Sequence, residues 1–585
     1  MARTPRGGPR HGAVPAVALG AILAGVAVIP NARAGEEPRA VPDLGPNVSV
    51  FDPSMSNAEI QSEVDAVFQR QETSQFGDGR QAFLFAPGTY DVDVNVGYYT
   101  QVSGLGLHPD DVTINGAVHV EADWFEGNAT HNFWRAAENL SVNPTTGSDR
   151  WAVSQAAPYR RMHVRGDLQL DDGGWSSGGF MADTLVDGTV RSGSQQQWLS
   201  RNTDWGAWEG SNWNMVFVGA ENAPSGDFPD PPYTRVDTTP VHREKPFLSV
   251  DDNGDYQVFV PALRTDTSGV SWADGAADGE SLPIEDFHVV LPGQGSDEIN
   301  AALERGQHLL VTPGVYDLDD TLRITEPDTV VLGLGLATFV PRHGVTAIEV
   351  ADVPGVKVAG LLIDAGEENS ERLMEVGPEG SSADHSDNPI SLHDVFFRIG
   401  GAHVGRATTS LVINSHDVIG DHLWLWRGDH GSGIGWNQNT ADTGLVVNGD
   451  DATLYGLFVE HYQKTQTIWN GERGRTYFYQ NEMPHDPPDQ AAWMDGDTRG
   501  YAAYQVADSV TEHQAWGLGA YCFFNANPGV VAERAFDVPE SPGVRFTHMV
   551  AVSLGGGTGT IQHIVNDTGG PANAQNNVAN LIAYP

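Results

Sequence analysis

Two glutamates in the second half of the chain have the spacing of a pair that acts together. Glu460 follows an apolar run at 454–459 and Glu482 follows another at 476–479, so about 22 residues separate them. If both runs are strands of a coiled sheet, the two residues lie on adjacent rungs, about 5 Å apart. Carboxyls that close resist joint ionisation, and a protonated carboxyl beside an ionised one suits the cleavage of a glycosidic bond. The alternative is that both are ordinary solvated residues at a strand edge.

Polar and aromatic residues surround this pair in the sequence. Asp429 and His430 follow Trp426, and His461 follows Glu460 directly. In the first half, three glutamines precede a tryptophan at Gln195, Gln196, Gln197 and Trp198. Amides and imidazoles bind sugar hydroxyls, and tryptophan faces stack on pyranose rings. A simple turn with a structural histidine is the alternative for Asp429 and His430, and several of the tryptophans belong in a core.

The elements that position these residues are indicated by an internal repeat. Residues 83–92 read Phe-Leu-Phe-Ala-Pro-Gly-Thr-Tyr-Asp-Val, and residues 309–318 read Leu-Leu-Val-Thr-Pro-Gly-Val-Tyr-Asp-Leu. A Gly-Leu-Gly-Leu corner follows each copy at 104–107 and 333–336. A short amphipathic helix is predicted before each copy, at 58–69 and 297–305. The repeat therefore predicts two similar units, each opened by a capping helix.

Short apolar strands separated by Gly, Asn and Asp corners recur through both units, which is typical of stacked coils. We predict an all-β fold of two tandem right-handed parallel β-helices packed side by side. The first spans 48–223 and the second 285–585, with a linker segment at 224–284 that has strand-like portions. The proposed acids lie on the second. A pair of β-sandwiches is the alternative, but it favours hairpins with alternating strands.

The N-terminus has the pattern of an export signal. Arginines precede an apolar stretch, and Ala32-Arg33-Ala34 fits a cleavage site, so residues 1–34 are predicted to be removed. An uncleaved anchor is the alternative. The net charge of −45 argues against nucleic acid and anionic lipid as partners, and mildly against a polyanionic substrate. The single cysteine, Cys522, excludes an intramolecular disulfide and cysteine-based zinc sites.

Several of these segments, taken in order, resemble glycoside hydrolase family 55, whose members are β-1,3-glucanases with paired β-helices. The segments are Trp424-Leu-Trp with Asp429-His430, Leu454-Tyr-Gly with Glu460-His461, and Gln480-Asn-Glu482-Met-Pro. In the first half, Ser177-Gly-Gly-Phe and the glutamine triplet with Arg201-Asn202 are similar to family motifs. The resemblance runs from about residue 50 to residue 530.

The resemblance implies that Glu482 is the general acid, that Glu460 is a second active-site carboxylate, and that Gln196 or Gln197 orients the attacking water in an inverting reaction. We expect Asp429, His430, His461, Trp426, Trp198 and Gln195 to bind substrate. Departures such as Gln195 for the family's asparagine, and Asn481 and Met483 around the acid, leave a sister family with another glycan as an alternative.

The sequence therefore predicts a secreted, monomeric glycoside hydrolase that takes a carbohydrate substrate, β-1,3-glucan first, with no cofactor and no metal. Two other functions stay open. A polysaccharide lyase would need a base and a cation at a uronate carboxylate. A glycan-binding surface protein would bind without cleaving. The fold alone does not choose among them.

Overall fold

The computed structural model describes residues 42–275 and 277–585. The export signal predicted at 1–34 lies outside these residues. In the described part of the chain, no helix has the length and apolarity needed to cross a membrane.

The first half forms a parallel β-helix, as predicted. One face is a continuous parallel ladder of Val48–Phe51, Gln81–Phe85, Thr100–Gly104, Arg135–Pro144, Tyr159–Val164, Gly179–Ala182, Gln197–Arg201, Asn214–Val218 and Tyr233–Val236. The strands that pair beside it are Gly88–Tyr90, Asp93–Asn95, Val112–His119, Ser148–Arg150, Asp167–Gln169, Leu185–Arg191 and Asp204–Glu209. Side chains from the coils fill one continuous apolar core.

The second half forms a second parallel β-helix. Its longer sheet comprises Phe287–Val290, His308–Val311, Val315–Leu318, Val330–Pro341, Lys357–Asp364, Ser391–Ile399, Ile419–Arg427, Thr453–Glu460, Gly474–Glu482, Glu512–Cys522, Gly543–Ser553 and an antiparallel last strand, Val578–Tyr584. The other sheet comprises Leu322–Ile324, Ile348–Val350, Ser370–Val376, Ala407–Ile413, Ala441–Val447, Thr467–Trp469, Tyr504–Val506, Val531–Asp537 and Thr560–Val565. A small hairpin, Met494–Asp495 with Thr498–Arg499, projects from one coil.

The segment between the β-helices contains antiparallel strands. Thr239–His242 pairs with Arg264–Thr267, and Phe247–Val250, Tyr256–Pro261 and Gly279–Pro283 form a three-stranded sheet. The last strand of the first ladder, Tyr233–Val236, lies within the range that we assigned to this linker. The first β-helix therefore extends past residue 223.

Each β-helix begins with a cap formed by a short helix. Asn57–Gln71 buries Ile60, Val64 and Val67 against the first core, and Ser296–Glu304 buries Ile299 and Leu303 against the second. The capping helices predicted at 58–69 and 297–305 are confirmed. The remaining short helices are Leu554–Gly557 and the 3-10 turns Pro109–Asp111, Asp123–Phe125, Ala129–His131 and Ile284–Asp286.

The two β-helices meet along an aromatic interface to which both contribute. Phe133, Trp134 and Phe180 of the first pack with Trp424 and Phe458 of the second. Each facing strand of the second β-helix bends at a residue with positive φ, and these residues stack through successive rungs at Gly360, Asp394, His422, Gly456, Phe478 and Gly517. At Gly456 a Cβ would lie 2.9 Å from the ring of Phe180, so only glycine allows this approach.

A buried ionic network fixes the two β-helices in register. Arg160 of the first binds Asp421 of the second at 2.7 Å and also pairs with Asp394. Arg201 binds Asp421 at 2.9 Å, and Lys245 of the linker lies 3.1 Å from Asp394. All are almost fully buried, so each charge depends on its partners. The network places the residues of one β-helix at fixed positions opposite those of the other.

Candidate active site

A cavity of about 230 Å³ opens where the two β-helices meet. Both β-helices line it. The first contributes Thr130, His131, Phe133, Gln155, Ser177 and Gln196, and the second contributes Trp424, Trp426, Asp429, His430, Glu460, His461, Glu482, His485 and Leu554. It holds seven of the ten residues that we selected from the sequence.

The two glutamates lie side by side at this cavity. Glu460 ends the strand Thr453–Glu460, Glu482 ends Gly474–Glu482, and the two residues are directly opposite each other in the parallel register. Adjacent strands are separated by about 4.8 Å, so the predicted one-rung spacing is confirmed. The β-helix therefore turns a separation of one coil in sequence into a contact pair.

Both carboxylate oxygens of Glu460 are occupied. Gln155 of the first β-helix donates to Oε1 at 2.9 Å, and the indole N–H of Trp424 donates to Oε2 at 2.8 Å. The residue is only 3% exposed. Burial first, and the negative charge of Glu482 second, raise the pKa of Glu460 well above its ordinary value. Glu460 is thus the carboxyl of the pair that holds a proton.

Glu482 is bound through one oxygen only. His461 Nε2 lies 3.3 Å and His485 Nε2 3.0 Å from its Oε2. No side chain or backbone group of the described residues hydrogen-bonds Oε1, and the side chain is 17% exposed, toward the cavity. Burial alone would raise the pKa of Glu482, but the two histidines outweigh that effect and lower the pKa to about 2. Glu482 therefore offers a free oxygen to a molecule in the cavity.

His485 is held between two carboxylates. Its Nε2 faces Glu482, and its Nδ1 lies 3.2 Å from Oδ2 of Asp429. Burial alone would lower the pKa of His485, but the bonds to Asp429 and Glu482 raise the pKa to about 10. Asp429 also binds His430 at 2.7 Å and has a pKa well below its usual range, because the neighbouring histidines outweigh its burial. His485 is therefore an imidazolium that fixes both acids.

Asp429, His461 and His485 are the one group of possible metal ligands in the described residues, with a donor atom from each within 4.8 Å of the others. The hydrogen bonds already account for these atoms. His461 Nδ1 lies 3.2 Å from the carbonyl oxygen of Arg427, and both nitrogens of His485 face carboxylates. The arrangement is that of an ion-pair network, and we assign no metal to it.

The first β-helix contributes uncharged polar side chains to the cavity. Ser177 donates to Oε1 of Gln155 at 3.2 Å, which joins these two side chains to Glu460. Gln196 also lines the cavity, and its Oε1 has no hydrogen-bond partner among the described residues. A buried amide oxygen without a partner needs a ligand or a water molecule. This wall is suited to hold a water molecule.

Three of the residues selected from the sequence are not in the cavity. Gln195 is fully buried and donates to the carbonyls of Val153 and Leu170, both at 2.8 Å, so it closes a coil of the first β-helix. Gln197 is fully buried in the interface, where the hydroxyl of Tyr521 donates to it. Trp198 fills the first core. The structure therefore places neither Gln195 and Trp198, predicted to bind substrate, nor Gln197, predicted as one of two candidates to orient the water, at the cavity, because the chain turns at this corner and only Gln196 of the triplet lines it.

Four cavity residues that the sequence reasoning did not select bear on the glutamate pair: Gln155, Ser177, Trp424 and His485. Ser177 and Trp424 stood within the quoted motifs, but nothing distinguished them from their neighbours. His485 lies three residues after Glu482 in Glu-Met-Pro-His, a spacing that gives a weak signal once the acid is known. Gln155 had no signal, because it reaches Glu460 only through the packing of the two β-helices.

A cavity shared by two packed β-helices and carrying two adjacent glutamates, one with a raised and one with a lowered pKa, defines a carbohydrate-active enzyme of the pectate-lyase-like fold. A family model described as the LAM55 pectate lyase-like domain matches residues 287–482. An exo-beta-1,3-glucanase of Streptomyces sp. (strain SirexAA-E / ActE) is 56% identical over 547 residues, which cover 93% of this chain and 90% of that protein. The chain therefore belongs to glycoside hydrolase family 55 and is a glycoside hydrolase. The alternative of a sister family does not apply.

Solved structures agree with this assignment. The structure of sacteLam55A from Streptomyces sp. SirexAA-E superposes with a TM-score of 0.91 at 55% identity and covers 93% of this chain and 99% of that one. A glutamate-to-alanine variant of that protein in complex with glucose superposes with a TM-score of 0.92 at 55% identity, covering 94% and 100%.

Proposed function

We propose that the protein hydrolyses β-1,3-glucan and releases glucose from the chain end with inversion of configuration. The observation that carries the proposal is the glutamate pair, in which one carboxyl is fully hydrogen-bonded and the other offers a free oxygen to the cavity. The cavity volume, about 230 Å³, suits one pyranose ring rather than a length of chain. The exo-beta-1,3-glucanase relative supports both the linkage and the end-on attack.

Glu482 is the general acid in this proposal. Its Oε1 is the carboxyl oxygen without a protein partner, so the glycosidic oxygen of a bound sugar can approach it. Glu460 does not have this freedom, because Gln155 and Trp424 occupy its two oxygens. Glu460 instead keeps a proton of its own, so Glu482 has no second negative charge beside it.

The proton of the acid comes from the histidine beside it. Before a sugar binds, the His485 imidazolium donates to Glu482 at 3.0 Å. A sugar that displaces water from the cavity removes the solvation of both charges, which favours the neutral form of the pair. The proton then resides on Glu482, which gives it to the leaving oxygen; the attacking water releases one proton to solvent, and solvent returns one proton to His485 after product release.

The attacking water belongs on the wall formed by the first β-helix. Gln196 offers an unpartnered amide oxygen there, and Ser177 and Gln155 stand between that position and Glu460. In an inverting reaction the water and the acid act on opposite sides of the anomeric carbon, so the sugar would lie between this wall and Glu482. Asp429, His430, His461 and Trp426 also line the cavity and bound the space in which the sugar would lie.

We also propose that the chain is exported and acts as a monomer outside the cell, since a polymeric glucan does not enter cells. The pattern of residues 1–34 supports export. The mass of the protein recovered from culture medium tests export: a chain that begins at Gly35 agrees with it, and a full-length chain retained in the cells contradicts it. Size-exclusion chromatography of the same protein tests the monomer: elution as one copy agrees with it, and elution as two or more copies contradicts it.

The experiment is a panel of laminarin, cellulose, xylan, fructan and polygalacturonate, with product analysis by proton NMR. We expect glucose from laminarin alone, seen first as the α-anomer. A retained β-anomer contradicts the inverting mechanism, and an unsaturated uronate from polygalacturonate contradicts hydrolysis as a whole. The Glu482→Gln variant is the control for a contaminating glucanase.

A further inference from the structure

The loop of residues 72–78, which follows the first capping helix, reaches across to the second β-helix. Phe76 of this loop lies parallel to Trp426, with ring centroids 6.3 Å apart and planes 5° apart. Gly401 and Gly431, both with a φ of +96°, pass close to the same ring. A Cβ would lie 2.5 Å from the Phe76 ring at the first of these glycines and 2.6 Å from it at the second, so only glycine allows this approach. The loop is therefore anchored against two successive coils of the second β-helix.

Gln75, the residue before this anchor, is fixed through both its backbone and its side chain. The hydroxyl of Tyr99 donates to the carbonyl oxygen of Gln75 at 2.6 Å, and Arg398 of the second β-helix donates to that hydroxyl at 2.5 Å. The side-chain amide nitrogen of Gln75 lies 2.6 Å from Nε2 of His430, which lines the cavity. A side chain of the first β-helix thus contacts a cavity residue that the second β-helix carries.

This contact determines which nitrogen of His430 carries the hydrogen. An amide nitrogen can only donate, so Nε2 of His430 accepts and the hydrogen of the neutral ring lies on Nδ1. Nδ1 faces Oδ1 of Asp429 at 2.7 Å and therefore donates to that carboxylate. The ring of His131 stacks on His430 with centroids 4.5 Å apart, and burial lowers the pKa of His131 to about 4, so this neighbour is uncharged at neutral pH. His430 thus donates to Asp429 as a neutral imidazole.

We propose that Gln75 is a positioning residue of the active site, because it holds His430 in the neutral form that donates through Nδ1 to Asp429. Asp429 then receives a hydrogen bond without a second cation beside it, and it keeps its full charge for His485, whose Nδ1 lies 3.2 Å from Oδ2. With the hydrogen on Nε2 instead, the lone pair of Nδ1 would face Oδ1 and repel it, unless the ring took a second proton and became a cation. The inference rests on the proposed function, because it assigns what sets the charge around the proton donor of Glu482.

The test replaces the donor with an acceptor of the same size, in the variant Gln75→Glu. The new carboxylate accepts from Nε2, so His430 becomes an imidazolium that donates from both nitrogens. This cation offsets the charge of Asp429 and should lower the pKa of His485 from about 10 by about one to two units, since the new carboxylate lies one contact farther away. We expect the basic limb of kcat/KM for laminaritriose to move to lower pH by the same amount. The substitution leaves unchanged the other titratable groups that face these two histidines, which are Glu482, Glu460, His461 and His131.

Two further variants separate the charge on His430 from a general loss of structure. Adding His430→Gln to Gln75→Glu removes the imidazolium, so the basic limb should return to its wild-type position or above. Gln514→Glu makes the same change of charge at an exposed residue, which pairs in register with Arg475 at the far end of its strand from Tyr521, and should leave the limb in place. A limb that does not move in Gln75→Glu, or that the added His430→Gln does not restore, would refute the role of Gln75.

Nitrogen NMR of the histidine-labelled protein observes the ring of His430 without turnover, and the His430→Gln variant identifies its signals. At pH 7 we expect a hydrogen on Nδ1 and none on Nε2 in the wild type, and a hydrogen on both nitrogens in Gln75→Glu. A wild type with the hydrogen on Nε2, or with both nitrogens protonated, would overturn the inference while the reaction stood. If the wild type cleaved no glucan, the proposed function and the catalytic setting of Gln75 would fail together, whatever the NMR signals showed.

Discussion

Replacing His485 with glutamine removes the cation that couples Asp429 to Glu482, and it should move the basic limb of the pH–rate profile. In the wild type the proton of the Glu482–His485 pair is lost only as the pH rises through the pKa of His485, which the two carboxylates raise to about 10. Without the imidazolium, Glu482 loses one of the two histidines that lower its pKa, and that pKa rises from about 2 toward its ordinary 4.5, because less then opposes the effect of burial.

The acid of the variant is then mostly ionised at neutral pH. With a pKa near the ordinary 4.5, only about one molecule in 300 holds the proton at pH 7, so kcat/KM falls by about 300-fold there. The loss is regained as the pH falls below 5. The other titratable groups near His485 are His461, whose ring centroid lies 4.3 Å away, and Glu460. Neither is changed by the substitution.

The assay is kcat/KM for laminaritriose between pH 3 and pH 10. His430→Gln is the matched control, since His430 binds Asp429 at 2.7 Å in the same cavity and has no hydrogen bond to Glu482. We expect the basic limb to move by several pH units in the His485 variant and to stay in place in the control. A uniform loss of activity at all pH values, with the limb unmoved, would refute the proton-store role of His485.

Three further predictions follow from buried groups. Asp149→Asn removes a buried carboxyl whose pKa burial raises to about 7. The folded wild type keeps this proton up to about that pH, whereas the unfolded chain loses it at lower pH. The stability of the wild type therefore falls by up to about 4 kcal/mol between pH 4 and pH 8, and the variant should have the higher Tm only at pH 8. Lys245→Met leaves Asp394 with one cation fewer in the buried network, so the free energy of unfolding, measured with a chemical denaturant, should fall by about 3–5 kcal/mol. Lys464→Met removes an exposed ion pair and should lower it by less than about 1 kcal/mol. Gln196→Ala should lower kcat about 10- to 100-fold in steady-state assays with KM within about twofold, and an unchanged kcat would remove it from the water site.

The fold was accessible from the sequence because its signals are local and repeated. The Pro-Gly turn with its Gly-Leu-Gly-Leu corner appears in both halves, and a coil of about 22 residues between Glu460 and Glu482 is enough to place them on neighbouring rungs. In a β-helix, sequence spacing converts directly into spatial register. That property made the glutamate pair predictable before any coordinates.

The rest of the site depends on how two β-helices pack, which local patterns do not encode. Gln155 reaches Glu460 across the interface, over 305 residues of sequence. In the glutamine triplet, neither neighbour of Gln196 reaches the cavity: Gln195 closes a coil and Gln197 enters the interface. A period-2 rule cannot assign the faces of residues at such a corner, because the backbone is not an extended strand there.

The protonation pattern could not have been predicted either. Spacing indicates that one of two adjacent carboxyls keeps its proton, but not which one. That depends on Trp424 and Gln155 enclosing Glu460 and on His461 and His485 facing Glu482. The resemblance to a known family assigned the acid to Glu482, and the free oxygen of that side chain supports the same choice.

The central claim, that Glu482 protonates the leaving oxygen, is tested most directly by the leaving-group dependence of the Glu482→Gln variant. We predict that its kcat/KM on laminaritriose falls by about 10²- to 10⁴-fold, while its hydrolysis of 2,4-dinitrophenyl β-glucoside, whose leaving group needs no proton, stays within about tenfold of the wild type. A folded variant that cleaves laminaritriose at the wild-type rate, or that loses both substrates to the same extent, would contradict the account.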